Sequence, residues 1–203
     1  MDPTVEQWDV ICQKLIDKKL IPLFDVAYLG LASGCFETDA YPIRLLSSRG
    51  KEMIICVSFS KNMGLYSQRV LISDERVGKH VFYPPNHGAS VAEKILNNEK
   101  YFEEWKTEVE SMYKRISEMR SGLAKRLLEL KTPGDWSFLT RQRGLFSYTG
   151  LNKEQIEYME KEHGIFMPTS GRINVSGLTV ECLDHVAKAI HDAATRFPKH
   201  LNK

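Results

Sequence analysis

The order of apolar and polar positions predicts alternating helices and strands in the first half of the chain. Apolar residues over 4–18 recur at helical spacing, and a second helix is predicted over 38–48. Short apolar runs at 21–25, 53–58 and 69–73 are typical of strands. Because strands that alternate with helices usually pair in parallel through right-handed crossovers, the pattern predicts a parallel sheet.

A long helix over 99–131 dominates the second half of the chain. Its apolar positions follow steps of three and four, which is the spacing of a heptad seam. A coiled coil would explain this spacing, but we favour a helix that links two domains and packs against both. A turn at 83–88 and a short helix over 89–96 precede it, and Thr132-Pro133-Gly134 ends it.

The residues after this helix predict a small α+β domain. Strands are expected over 145–149, 165–167 and 172–175, and helices over 152–162 and 179–196.

The predicted fold class is therefore α/β. Residues 1–98 would form a large domain with an incomplete, mostly parallel sheet, 99–131 the linking helix, and 132–203 the α+β C-terminal domain.

Composition narrows the function without identifying it. The chain has 203 residues, 42% of them hydrophobic, and a formal net charge of +2 with both signs interspersed, so no nucleic-acid partner is indicated. No apolar stretch approaches the ~20 residues of a membrane span, and no signal peptide is recognised. Four cysteines lie far apart without metal-binding spacing, which suggests free thiols in a reducing compartment and no metal.

Lys61 is the first candidate for chemistry, because it follows the apolar run of the second predicted strand. Desolvation at such a position disfavours the ammonium and favours the neutral amine, which is nucleophilic towards aldehydes. Ser58, Ser60 and Arg69 lie near it in sequence and could bind a phosphate. For a lysine taken alone, a solvated loop position is the commoner outcome.

The first predicted strand ends in a carboxylate, Asp25, and Tyr28 follows it. Ligands of open α/β sheets bind beyond the carboxyl ends of the strands, so Asp25 and Lys61 are expected to face one crevice. Pyridoxal phosphate requires a carboxylate at its pyridine nitrogen, a lysine at its aldehyde and ligands for its phosphate. A phenol such as that of Tyr28 would suit the ring hydroxyl. Taken alone, Asp25 would more often be a helix cap or a turn residue.

Arg172 is the candidate in the second half, where it begins a predicted strand directly after Gly171. A guanidinium can bind a carboxylate through two parallel hydrogen bonds. A surface salt bridge would be the commoner role for a lone arginine.

Several segments together resemble the aspartate aminotransferase family of fold-type I pyridoxal-phosphate enzymes. The resemblance runs nearly from end to end and is nearer to cytosolic eukaryotic members than to mitochondrial ones. The motif Ser58-Phe59-Ser60-Lys61-Asn62 is one of the segments that carry it. The others are 2–8, 24–28, 30–34, 64–66, 130–134 and 170–178.

The resemblance implies a role for each candidate at the cofactor, pyridoxal 5'-phosphate. Lys61 would form the Schiff base with the cofactor and later carry the proton. Asp25 would pair with the pyridine nitrogen, and Tyr28 would bond to the ring hydroxyl. The phosphate would be bound by Ser58, Ser60 and Arg69.

The resemblance also implies the substrates. Arg172 would hold the substrate α-carboxylate, and Phe146 would line the pocket. The reaction would transfer an amino group between aspartate and 2-oxoglutarate, so the partners would be aspartate, glutamate and their 2-oxo acids. A cytoplasmic homodimer without metal is the form implied by the family.

The chain also departs from the family pattern. Family members carry roughly as many residues again ahead of position 1, and further elements between 71 and 82. The arginine for the distal carboxylate belongs to that second stretch, and Arg76 does not align with it. We therefore expect a truncated or alternatively spliced chain.

Two other functions stay open. One is a non-catalytic remnant that pairs with a full-length subunit through helix surfaces around 86–131. The other is a different amino-acid enzyme with the same cofactor, such as a decarboxylase or a lyase.

Overall fold

The computed structural model of the chain describes residues 3–67, 71–73 and 86–198. These residues fall into two compact units, one before residue 114 and one from residue 114 onwards, which are described in turn.

The first unit is an α/β arrangement. Its elements are α1 (Val5–Asp17), β1 (Leu23–Val26), α2 (Phe36–Asp39), α3 (Tyr41–Ser48), β2 (Ile54–Ser58), β3 (Leu71–Ser73), α4 (Asn86–Leu96) and the part of α5 (Glu99–Glu129) that precedes residue 114. The helix expected over 38–48 is two helices, because Ala40 ends α2 and begins α3.

Within the described residues of this unit, three strands form a mixed sheet in the order β1-β2-β3. β1 and β2 are parallel, which confirms the prediction for this pair. β3 pairs with β2 in antiparallel orientation, so the expectation of a parallel sheet was wrong for this strand. A parallel return requires a crossover, usually a helix, whereas the described residues 59–67 after β2 form turns. Residues 69 and 70 of the expected third strand lie outside the described residues.

One face of this sheet is covered by α1 and α3. The buried side chains of Cys12, Leu46 and Met53 form a cluster against which Phe24 and Ile55 pack. α1 forms within the helix predicted over 4–18, and Thr4 caps it by exchanging hydrogen bonds with Gln7. Burial also raises the pKa of the Cys12 thiol.

The second unit contains the remainder of α5 and a small α+β arrangement. Its further elements are α6 (Phe138–Arg141), β4 (Phe146–Tyr148), α7 (Lys153–His163), β5 (Arg172–Asn174), a 3-10 turn (Val175–Gly177) and α8 (Val180–Arg196). β4 and β5 are antiparallel, with Tyr148 opposite Arg172. The strand expected over 165–167 does not form, and α6 was not predicted.

The heptad seam of α5 supplies a large part of the second unit's core. Ile116, Met119, Leu123 and Leu127 are buried along it, and they pack with apolar residues of α7 and α8. The contributions from α7 and α8 include Ile156, Met159, Leu183, Ala187 and Ile190. Both α7 and α8 begin with the reciprocal hydrogen bonds of a capping box.

No helix within 3–67 or 86–198 combines the length and apolar composition needed to cross a membrane. In the same part of the chain, no group of three histidine, cysteine or acidic side chains is placed to hold a metal ion.

Two adjacent leucines of α5 provide a matched test of this core. Leu127 is fully buried, whereas Leu128 is 77% exposed. Leu127→Ala should lower the free energy of unfolding by about 2–5 kcal/mol, because it removes buried methyl groups and leaves a cavity. Leu128→Ala should change it by less than about 0.5 kcal/mol. Urea denaturation of both variants measures the difference, and equal losses would contradict the assigned helix face.

Candidate active site

The parallel pairing of β1 and β2 brings two candidate side chains to one edge of the sheet. Asp25 lies opposite Cys56 near the carboxyl end of β1. Lys61 lies three residues beyond Ser58, the last residue of β2. The Asp25 residue is exposed and Lys61 is partly buried, so both remain accessible in the described part of the chain.

The sheet register places Asp25 and Ser58 on the same face. Side chains alternate along a strand, and neighbouring residues of paired strands point the same way. Asp25, Cys56 and Ser58 therefore share one face, while Phe24 and Ile55 point to the opposite face, against α1 and α3. We call the first the open face, because its Leu23 is 63% exposed in the described structure.

Two serine hydroxyls lie together where β2 ends. Ser58 Oγ donates to Ser60 Oγ at 3.2 Å, and the Ser60 amide donates to Ser58 Oγ at 3.3 Å. A further turn bond joins the Met63 amide to the Phe59 carbonyl at 3.2 Å. This compact turn gathers hydroxyl groups of the kind that bind phosphate. Arg69, the third predicted phosphate ligand, lies outside the described residues, as does Arg76.

Lys61 and Tyr28 contact each other across the two strand ends. The Nζ atom of Lys61 lies 5.2 Å from the centre of the Tyr28 ring. This is within the range of a cation–π interaction. The predicted cofactor lysine and the predicted ring-hydroxyl ligand are thus neighbours, although their roles stay predictions.

A buried amide beside Lys61 was missed by the sequence analysis. Asn62 is fully buried, and its Nδ2 donates to the Leu29 carbonyl at 3.1 Å. Trp105 of α5 donates from Nε1 to the backbone carbonyl of Asn62 at 2.8 Å. The available sequence signals were the place of Asn62 in the Ser58–Asn62 motif and of Trp105 among the apolar residues of 99–131.

The segment after β1 is held by a second side chain that was not predicted. Asp39 accepts hydrogen bonds from the amides of Gly30 at 2.8 Å and Ala32 at 3.2 Å. Gly30 has a φ of 84°, and a Cβ there would lie 2.7 Å from Phe36 and from Val109. Only glycine fits this position without displacement of its neighbours. The Gly30-Leu31-Ala32-Ser33-Gly34 motif was the available signal.

Arg172 and Phe146, the predicted substrate residues, are neighbours within the second unit. The Arg172 guanidinium lies 4.4 Å from the centre of the Phe146 ring, on adjacent strands β5 and β4. Arg172 is exposed. The contact with the ring restricts the arginine side chain, which favours recognition of a planar anion.

Gly171 determines how the chain enters β5. Its φ is 75°, and its carbonyl accepts from the Thr149 amide at 2.9 Å and from Thr149 Oγ1 at 2.8 Å. A Cβ at this position would lie 3.1 Å from the Leu151 carbonyl oxygen. Backbone conformation and space therefore both favour glycine directly before Arg172.

A buried guanidinium supports β4 from within the second unit. Arg120 is 5% exposed, and it donates to Ser147 Oγ and to the carbonyls of Gly144 and Phe146. These partners are neutral oxygens, and burial lowers the pKa of the Arg120 side chain. The arrangement holds the strand that carries Phe146.

Comparison with known proteins identifies the family to which this fold and this residue set belong. The family described as aminotransferase class I and II matches residues 1–190, and the chain belongs to that family. Over 213 aligned positions it is 42% identical to the cytoplasmic aspartate aminotransferase of Gallus gallus. That alignment covers 97% of this chain and 52% of the relative, so the chain spans about half the length of the curated protein it matches.

Solved structures show the same partial coverage. The broad specificity aminotransferase from Leishmania mexicana is 41% identical with a TM-score of 0.88, over 96% of this chain and 52% of that one. The aromatic-amino-acid aminotransferase from Burkholderia pseudomallei, described as covalently bound to pyridoxal phosphate, is 32% identical with a TM-score of 0.87. It is covered over 52% of its chain, and this chain over 95%. The predicted partial fold-type I architecture is confirmed.

Substitution of two glycines tests the entry into β5. Gly171 and Gly164 both have positive φ, but a Cβ at Gly164 would meet nothing within 4 Å. Gly164→Ala should lower the free energy of unfolding by about 1–2 kcal/mol from backbone strain alone. Gly171→Ala should lower it further, because the methyl group also crowds the Leu151 carbonyl. Urea denaturation measures both losses, and a smaller loss at Gly171 would contradict this assignment.

Proposed function

We propose that this chain provides the lysine-bearing part of a pyridoxal-phosphate-dependent aminotransferase, which transfers an amino group between aspartate and 2-oxoglutarate. The observation that carries the proposal is the contact of Lys61 with Tyr28 at the ends of two parallel strands, in a chain of the aminotransferase family. In this proposal, 1–98 is the cofactor-binding part, 99–131 the linking helix and 132–203 the small domain.

The chemistry of the donor set fits the cofactor. An amine, a phenol and a pair of hydroxyls are gathered near the end of β2, and a carboxylate lies on the open face. When bound, pyridoxal phosphate supplies the electron sink that stabilises negative charge at the amino-acid α-carbon.

Each residue then has a task that its chemistry supports. Lys61 would hold the cofactor through its amine and would move the substrate α-proton as a general base. The Asp25 carboxylate would keep the pyridine nitrogen protonated by charge pairing. The Tyr28 hydroxyl would bond to the ring oxygen. Ser58, Ser60 and Arg69 would hold the phosphate.

Arg172 is proposed to bind a substrate carboxylate in the second unit. Its contact with the Phe146 ring requires no N–H donor, so the guanidinium donors remain available for two parallel hydrogen bonds. Phe146 serves as the apolar wall that orients the arginine.

The substrate class is inferred from the relatives. The Gallus gallus relative is named for aspartate, and we propose aspartate, glutamate and their 2-oxo acids as the substrates. The cytoplasm is the proposed location, because the same relative is named cytoplasmic, and a homodimer is the proposed assembly.

Covalent trapping tests the role of Lys61. The lysine amine should add to the aldehyde carbon of pyridoxal phosphate with loss of water, and borohydride should then deliver hydride to that carbon. Peptide mass spectrometry should find the pyridoxyl group on Lys61 at aldehyde concentrations that leave Lys100, whose side chain is 79% exposed, unmodified. Lys61→Arg is the control and should carry no adduct at position 61. Equal modification of both lysines in the unsubstituted chain would overturn the proposed role.

A transfer assay tests catalysis and the role of Asp25. The purified chain with cofactor should convert aspartate and 2-oxoglutarate to oxaloacetate and glutamate. Asp25→Asn should lower the rate by at least about a hundredfold, because an amide cannot stabilise the pyridinium charge, while Lys61 still forms its adduct. An adduct without any amino transfer would overturn the catalytic proposal and support the non-catalytic alternative.

A further inference from the structure

Asn62 has no task in the proposed chemistry, yet it is a fully buried polar side chain next to the cofactor lysine. Polar side chains are rarely buried this completely unless their hydrogen bonds serve the structure. The hydrogen bonds that Asn62 makes therefore indicate what it does in the structure.

The Asn62 amide joins the segments that follow the two parallel strands. Its Nδ2 donates to the carbonyl of Leu29, the residue directly after Tyr28. Lys61 Nζ lies 5.2 Å from the Tyr28 ring. Two consecutive residues after β2 thus contact two consecutive residues after β1.

The backbone of Asn62 is held separately by α5. Trp105 Nε1 donates to the Asn62 carbonyl at 2.8 Å. The indole ring stacks on Phe36 with the ring centres 4.7 Å apart, and it lies 6.3 Å from Phe59. Because aromatic contacts fix the donor, the carbonyl position of Asn62 is also fixed.

The side-chain oxygen of Asn62, unlike its nitrogen, gains no hydrogen bond from burial within the described part of the chain. Its Oδ1 is buried and has no hydrogen-bond partner among the described residues. Rotation of the amide would not relieve this, since Oδ1 would then face the Leu29 carbonyl, another acceptor. A buried unsatisfied acceptor is unfavourable, so the contribution of this amide to the structure is the hydrogen bond that its Nδ2 donates to the Leu29 carbonyl.

We infer that Asn62 is a positioning residue whose amide, together with the Trp105 indole, holds Lys61 beside Tyr28 at the carboxyl ends of β1 and β2. The inference rests on the proposed role of Lys61. Its structural part, the link between the two segments, is open to measurement without any cofactor.

Three substitutions separate the contacts. Asn62→Ala removes the bond to Leu29 and leaves the carbonyl that accepts from Trp105. Asn62→Asp keeps the side-chain shape but replaces the donor by an acceptor. Trp105→Phe removes only the indole donor and retains an aromatic ring. The matched control is Gln155→Ala, since Gln155 is also buried and its amide donates to the Phe197 carbonyl at 2.8 Å in the second unit.

The first measurement is the ratio of borohydride-trapped pyridoxyl adduct on Lys61 to that on Lys100 in the same molecules. Asn62→Ala and Asn62→Asp should lower this ratio about fivefold, the factor expected for one lost hydrogen bond. Trp105→Phe should lower it in the same direction, and Gln155→Ala should leave it unchanged. Suppose that the wild type is modified selectively at Lys61 and that none of the three substitutions changes the Lys61-to-Lys100 ratio. This result would overturn the inference about Asn62, while the proposed function would stand.

The second measurement is amide hydrogen exchange without cofactor. The Leu31 amide donates to the Tyr28 carbonyl at 2.9 Å, and the Met63 amide to Phe59, so both report on the linked segments. Asn62→Ala should accelerate exchange at both amides, whereas Gln155→Ala should not. If the wild type is not modified selectively at Lys61, the proposed function fails, and the exchange rates alone decide whether Asn62 links the segments after β1 and β2. Exchange at the Leu31 and Met63 amides that Asn62→Ala leaves unchanged would overturn the inference.

Discussion

The parallel pairing of β1 with β2 is the constraint on which the first unit depends. It brings the carboxyl ends of two strands to one edge, although their residues are far apart in sequence. α1 and α3 bury one face of the pair through Phe24 and Ile55. The opposite face therefore carries Asp25 and Ser58, so the alternation of side chains along each strand separates the candidate site residues from the core.

Hydrogen bonds from side chains to the backbone fix the positions of the two segments that follow β1 and β2 at this edge. Asp39 holds the amides of Gly30 and Ala32 after β1, and Asn62 reaches from the end of β2 to the Leu29 carbonyl. Loops at strand ends have few backbone partners of their own, so such contacts decide where their side chains lie. The proximity of Lys61 to Tyr28 follows from both loops together.

In the second unit, too, a side chain holds a strand in place through hydrogen bonds, but here the donor is a charged arginine. Arg120 places a buried guanidinium against neutral oxygens of the segment that contains β4. Charge-assisted hydrogen bonds are stronger than neutral ones, which offsets part of the desolvation cost. The strand thus held presents Phe146 to Arg172, while Gly171 allows the sharp entry into β5.

Local spacing in the sequence determined the capped start of α1, the β1 and β2 strands, the heptad seam of α5, and the positions of Asp25 and Lys61 at the strand ends. Those features depend on residues a few positions apart. Only the tertiary structure decided the antiparallel direction of β3 and the contacts of Asn62 with Leu29 and Trp105. These depend on partners more than 30 positions away or on how the connecting turns run, and no local pattern records either.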